Sequence, residues 1–454
     1  MNFTFKNLGI FEKETSIELN EFTIICGDNN TGKTYASYAI FGFLEKWQRY
    51  VSLDIYDDTL QPLYHEGSIQ LDLTQFSDQI SVICDKLSAR YTKNLAKIFS
   101  AHEDFFDTSL FKVSPPSPIN YSQYPFESTV STADNKEILK VFKSKDSHFL
   151  TISLLIENEG KRPAISTVKN FIEYNIIRIL FYQYFPRPFI ISSERTGISL
   201  FHRELDINKN IFIERLQNSS KDIKAEDYFE MLDEAISRYA HPIKSGIDFV
   251  RDIVDIHSKQ KSTLIKEHPE FITMIKDIIG GEYKVENSQI VFSFRKGRRK
   301  PKIPLYMASS TVKSMLELYF YIMSVAKKGD ILIIDEPELN LHPKNQRKLA
   351  KLFARLVNVG IKVFITTHSD YLIKELNNLI MLEGDFKYKD ELLKKLNYSN
   401  DDYLSPSNIN IYIAENKELS LAPLTSYGIE VESFDNEISA INNAFNDITL
   451  AKGI

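Results

Sequence analysis

Eight residues near the amino terminus, Gly27-Asp28-Asn29-Asn30-Thr31-Gly32-Lys33-Thr34, fit the spacing G-x-x-x-x-G-K-[ST] at every fixed position. Glycine at both ends permits the tight backbone geometry that lets successive N–H groups wrap a triphosphate. Asn29, Asn30 and Thr31 supply the middle of that cradle. Lys33 is placed to reach β- and γ-phosphates, and the Thr34 hydroxyl to bind Mg²⁺. The chemistry implied is ATP binding with Mg²⁺. A second group, Asp335-Glu336, ends the apolar run ILII. Carboxylates at the C-terminal end of a buried strand lie where open α/β sheets hold ligands. Asp335 suits the Mg²⁺ shell, and Glu336 suits a general base acting on water. A third, His368, closes KVFITTH and is placed to contact a γ-phosphate.

Each group needs an element behind it. EFTIIC runs straight into the glycine loop, and after Thr34 the apolar residues Ile40, Phe43, Leu44 and Trp47 share one helical face. Strand, glycine loop, helix is the context a phosphate loop requires, and the helix presents its N-terminus to the anion. From residue 311 the pattern alternates helix and strand, with ILII, VFIT and LIML read as strands. Continuous apolar strands of this kind belong in a parallel sheet covered on both faces. PFIIS (188–192) is another short strand, opening into SERTG. EILKVFKSKDSHFLTISLLIENEG reads as a β-hairpin turning near Lys145–Ser147. INIYIAEN and GIEVESFD read as closing strands, with a terminal helix after Asn436.

Composition narrows the class. The chain has 454 residues, 43% hydrophobic and 26% charged, with a net charge of −6. That balance suits a globular protein and gives no general attraction to nucleic acid. Two cysteines, Cys26 and Cys84, make no disulfide framework or zinc spacing, and point to a reducing cytoplasm. No apolar h-region opens the chain and no run of about 18 apolar residues appears, so neither a signal peptide nor a membrane span is expected.

Gly27–Thr34, ILIIDEP, LNLHP and TTHS together resemble the ABC-type ATPase family, and ELNLHP is similar to the branch that includes SMC, RecF and OLD (overcoming-lysogenisation-defect) proteins. The motifs cover roughly 1–45 and 305–385. The resemblance implies an α/β fold: an ABC-type P-loop ATPase head with a mixed β-sheet core and an inserted, mainly helical lobe. The head would comprise 1–50, 186–205 and 285–454. Residues 51–185 would form an insertion with helices and a β-hairpin, and 206–284 a helical insertion. Such ATPases carry a signature segment upstream of the acidic pair. Here the candidate is MASSTVKSMLEL, at 307–318. Ser309, Ser310 and Lys313 would face the γ-phosphate of a partner subunit, although a simple Ser/Thr helix cap accounts for the same residues. Ala308, Thr311 and Val312 depart from the family's L-S-S-G-E-K, which bears on turnover more than on dimerisation. Pro337 to Asn340 would form the loop that crosses to the second subunit.

The roughly three hundred residues between Lys33 and Asp335 exceed what a transporter subunit needs. No sustained heptad fills them, so a long SMC-like arm is not expected. That spacing matches compact antiphage-defence ATPases: OLD, Septu, and the retron- and PARIS-associated proteins. S-E-R-T-G resembles a segment common there. Arg195 has three roles open to it: approaching phosphate, tying the insert to the core, or pairing with Glu194. Glu383-Gly384 lacks a following D-x-D pair, so no Toprim nuclease is expected. Arg295, Lys296, Arg298, Arg299 and Lys300 make a basic turn that either binds phosphates of DNA or RNA or is a solvated loop. The expected protein is a cytoplasmic ATPase, homodimeric or higher, that controls a separate effector in antiphage defence. A RecF-like DNA-repair ATPase and an ATP-locked scaffold with little turnover are the alternatives.

Overall fold

The computed structural model describes residues 1–114, 120–132, 136–156, 163–202, 204, 239–425, 428–429 and 432–452. The chain divides into two units, one of Met1–Phe5, Phe43–Asn94 and Leu110–Pro186, the other of Lys6–Gly42, Leu95–Ser109 and Arg187–Ile454.

The first unit joins short helices to a four-stranded antiparallel sheet in the order Ser68–Asp72, Phe149–Leu154, Glu137–Lys143, Phe126–Ser131. The expected hairpin is its centre, with Val141 opposite Ile152. The same unit holds an aromatic cluster of Phe3, Phe43, Tyr91 and Phe111 with ring centroids 4.8–5.7 Å apart. Edge-to-face contacts in such clusters add about 0.5–1.5 kcal/mol per pair beyond area burial.

The second unit is built on a six-stranded mixed sheet. Its order is Glu418–Leu421, Ile409–Glu415, Phe22–Cys26, Lys362–Thr367, Ile331–Asp335, Pro188–Ile191. All neighbours run parallel except the Glu418–Leu421 edge. Every residue of FTIIC and ILIID is buried, as strands covered on both faces must be. Arg187 forks onto Asp330 at 2.9 and 2.6 Å, and Ile331 N–H donates to Arg187 C=O at 3.0 Å. These bonds fix where the outer strand begins. From there the register is level: Ile191 faces Ile334, Asp335 faces Thr366, and Thr367 faces Cys26. Four strands therefore end together, and the four loops that follow emerge side by side.

Two expectations are corrected. LIML is not a strand: the helix Asp370–Met381 continues through it. Leu372, Ile373, Leu376, Leu379 and Ile380 are its buried residues, at the three- and four-residue spacing of one helical face. The parallel strand expected there is supplied instead by Ile409–Glu415. GIEVESFD is not a closing strand either. Among the described residues of this stretch only Gly428–Ile429 pairs, with Leu424–Thr425, and the last helix begins at Glu432 rather than after Asn436. Of the expected helical insertion, 206–238 lies outside the described residues, and the rest holds the helices His241–Lys259, Thr263–Glu267 and Glu270–Ile279.

Candidate active site

The first of the four loops follows Cys26. Gly27 has φ 148° and Gly32 φ 90°, a region that L side chains rarely adopt. A Cβ on Gly27 would lie 2.5 Å from the Ala414 carbonyl, and one on Gly32 would lie 2.9 Å from the Phe11 ring. Both positions need glycine for space as well as for φ. Asn30 adds a third left-handed residue at φ 62°, and the Thr31 hydroxyl donates to Asp28 C=O at 2.8 Å. Lys33 opens an eighteen-residue helix. Its ammonium is buried and donates to the carbonyls of Gly27 (2.9 Å) and Asp28 (2.7 Å). Burial lowers its pKa, while Glu336, Asp335 and Glu338 hold it up.

The second loop follows Asp335. The Thr34 hydroxyl donates to the Asp335 carboxylate at 2.9 Å, and the Thr366 hydroxyl donates to its other oxygen. Burial raises the Asp335 pKa, and those two hydroxyls oppose it. Glu336 has φ 49°, an unusual conformation for a residue with a Cβ. Its N–H donates to both the carbonyl and the hydroxyl oxygen of Thr366 at 3.1 Å. The third loop brings His368 Nδ1 to 3.5 Å from Glu336 and 3.4 Å from Glu338. Loops starting at 27, 336 and 368 thus converge on one cluster.

Residues 1–373 match the AAA ATPase domain family (AAA_15). The chain belongs to that family. It is an ATP-hydrolysing enzyme with a P-loop fold. Uncharacterized protein MJ1542 of Methanocaldococcus jannaschii is 29% identical over 139 residues, 30% of this chain and 16% of that protein. The chain therefore matches about a sixth of the length of that curated relative. Similar solved structures include an Smc head domain with an extended coiled coil, bound to the C-terminal domain of ScpA, derived from Pyrococcus furiosus. It shows 12% identity, covers 98% of both chains and has a TM-score of 0.32. The SMC head domain from Thermotoga maritima shows 12% identity, 93% and 98% coverage and a TM-score of 0.29.

Three groups of this ATPase escape motif reading. Glu338 is buried and accepts from the Thr367 hydroxyl (2.8 Å) and from the His368 N–H (2.9 Å), so it fixes the backbone beneath the histidine. The signal for it was there: two hydroxyls, Thr366 and Thr367, end a buried strand and must find acceptors. Arg195 binds main-chain carbonyls. It donates to the carbonyls of Ser192 (3.1 Å), Asp335 (2.8 Å) and Glu336 (2.6 Å), while Glu194 accepts from the Tyr38 hydroxyl instead. Glu317, in the short helix Leu316–Phe320, is fully buried with neither oxygen hydrogen-bonded. Burial pushes its pKa up to about 8, against the pull of Arg195.

Glu317 sets an expected pH dependence. Its folded pKa lies above its ordinary value of 4.5, so the native state holds a proton there that the unfolded state gives up. Stability should fall as pH rises from about 5 to about 8 and level off above. At about 1.4 kcal/mol per pH unit the fall is on the order of 4 kcal/mol. Glu317→Gln should flatten that slope and be the more stable protein at pH 8. Thermal melts of both proteins across pH 5 to 9 test this, and parallel curves would refute it.

The expected signature residues lie apart from this cluster. Ser309 and Ser310 are exposed, and the Ser309 hydroxyl accepts from Val312 N–H as a helix cap. The Thr311 hydroxyl donates to Asn340 C=O at 2.6 Å, linking the segment to the end of the loop after Glu336. Arg295, Lys296, Arg298, Arg299 and Lys300 are all exposed at the turn between the strands Gln289–Phe294 and Lys302–Pro304. No group of three or more His, Cys, Asp or Glu suited to a metal occurs among the described residues. Mg²⁺ does not need one, since it takes one or two protein oxygens and completes its shell with water and phosphate. The Thr34 hydroxyl and the Asp335 carboxylate, 2.9 Å apart, are hard oxygen donors that fit it. No helix among the described residues is long and apolar enough to cross a membrane.

Proposed function

We propose that the chain is a Mg²⁺-dependent ATP switch of the SMC/RecF/OLD type that closes as a head-to-tail homodimer. The observation that carries this reading is the level ending of the strands at Cys26, Asp335 and Thr367, which sets Lys33, Thr34, Asp335, Glu336 and His368 around one cluster. Gly27 to Gly32 wraps the triphosphate and Lys33 reaches its β- and γ-oxygens. Thr34 and Asp335 hold the Mg²⁺, which supplies positive charge to the phosphate oxygens when bound. Glu336 takes the proton of the attacking water, and His368, seated on Glu338, contacts the γ-phosphate. Ser309, Ser310 and Lys313 serve the nucleotide of a second copy; the exposure of both serines supports this. The biological role we propose is sensing and control of a separate effector, a nuclease in kind, in antiphage defence within the cytoplasm. It rests on the likeness of the motifs and of their spacing to OLD, Septu and the retron- and PARIS-associated ATPases.

Turnover with and without duplex DNA, together with molar mass from light scattering with and without ATP, tests this reading. The expected result is a mass that doubles with ATP in Glu336→Gln, and slow turnover indifferent to DNA. An ATP-bound protein of unchanged mass would sink the dimer. Turnover raised several-fold by DNA favours direct nucleic-acid sensing, as in the RecF-like reading. The exposed basic turn at 295–300 is the observation on that side.

A further inference from the structure

The fourth loop, after the strand Pro188–Ile191, belongs to no motif of the cluster, yet it touches both ends of the loop that carries Glu336. Arg195 opens a helical turn there and is 3% exposed. One guanidinium nitrogen meets Asp335 C=O at 2.8 Å and the other meets Glu336 C=O at 2.6 Å. The two carbonyls bracket the left-handed turn of Glu336 at φ 49°. The next residue, Thr196, accepts at its hydroxyl from the Asn340 side-chain amide at 3.1 Å. Asn340 is itself left-handed, at φ 62°. A buried guanidinium is costly to desolvate, and an apolar side chain would fill the same space more cheaply. What the charge adds is two short directed bonds to main-chain carbonyls.

We propose that Arg195 is a positioning residue for Glu336. Its guanidinium holds the backbone of residues 335–336 in the strained turn that aims the Glu336 carboxylate, while Thr196 fastens the far end of the same loop at Asn340. Arg195 touches no phosphate in this account. The proposal rests on the reading of Glu336 as the hydrolytic group.

The test compares Arg195→Met, Arg195→Lys and Thr196→Val, each also combined with Glu336→Gln, by steady-state ATP turnover and by ATP binding calorimetry. Arg195→Met should lower kcat about thirty- to a hundredfold with ATP affinity within about threefold, because the phosphate loop is untouched. Arg195→Lys should recover part of the loss, and Thr196→Val should cost a few-fold in kcat. Added to Glu336→Gln, Arg195→Met should cost almost nothing further, since both act through one group. Wild-type kcat in Arg195→Met would overturn the proposal, as would additive losses in the double variant. If Arg195→Met does not fold, wild-type kcat in both Arg195→Lys and Thr196→Val would overturn it as well. The underlying reading fails separately, if Glu336→Gln alone leaves turnover unchanged.

Discussion

Glu336→Gln should lower ATP turnover about a hundred- to a thousandfold while ATP still binds. General-base catalysis by a positioned side chain contributes about that much. The amide keeps the shape of the carboxylate and loses its capacity to accept a proton. The hydrogen bonds that hold the residue in place are made by its main chain. Its N–H is bonded to Thr366, its C=O to Arg195, and its neighbour Asp335 to Thr34 and Thr366. The left-handed turn should therefore survive, as should affinity. A phosphate-release assay and binding calorimetry on the same preparation check both halves. Turnover within threefold of wild type would remove Glu336 from the chemistry.

Lys33→Ala should act on the other half of the cycle, weakening ATP binding about a hundred- to a thousandfold, or roughly 3–4 kcal/mol. The ammonium is buried between the carbonyls of Gly27 and Asp28, on the side of the cluster where Asp335, Glu336 and Glu338 lie close enough to support its charge. Removing it takes one positive charge from beside those carboxylates and makes the pocket less favourable to a polyanion. Lys33→Arg is the informative companion. It keeps the charge but not the compact head that fits between two carbonyls, so it should recover only part of the affinity. Affinity in Lys33→Ala within a few-fold of wild type would contradict the placement of the phosphates in this loop.

The residues that carry motif spacing were legible because each adjoins an apolar run that reads as a buried strand. FTIIC, ILIID and KVFITT are strands, and Gly27, Glu336 and His368 follow at their C-terminal ends. What escaped reading depends on which strands become neighbours. That Arg195 would find the carbonyls of Asp335 and Glu336 follows only from the pairing of Pro188–Ile191 with Ile331–Asp335, across more than a hundred and forty positions. Glu317 is similar. As one acid in a helix it reads as a solvated residue, and only the packed unit makes it a proton-holding one. LIML misled for the opposite reason: four apolar residues in a row suit a strand or the last turn of a buried helix equally, and periodicity does not separate them.

The strand order has a consequence for synthesis. Phe22–Cys26 is made long before its sheet partners, is fully buried in the finished protein, and lies in the sheet between Lys362–Thr367 and Ile409–Glu415. Both partners leave the ribosome some three hundred and forty residues later or more. At bacterial-type elongation rates the strand waits roughly twenty to seventy seconds with both edges unpaired. During that interval the apolar run FTIIC has neither of its sheet partners. Long-range parallel pairing of this sort is also slow to form once its partners arrive. The arrangement that sets the site's loops side by side thus delays completion of the sheet until its last parallel strand is made.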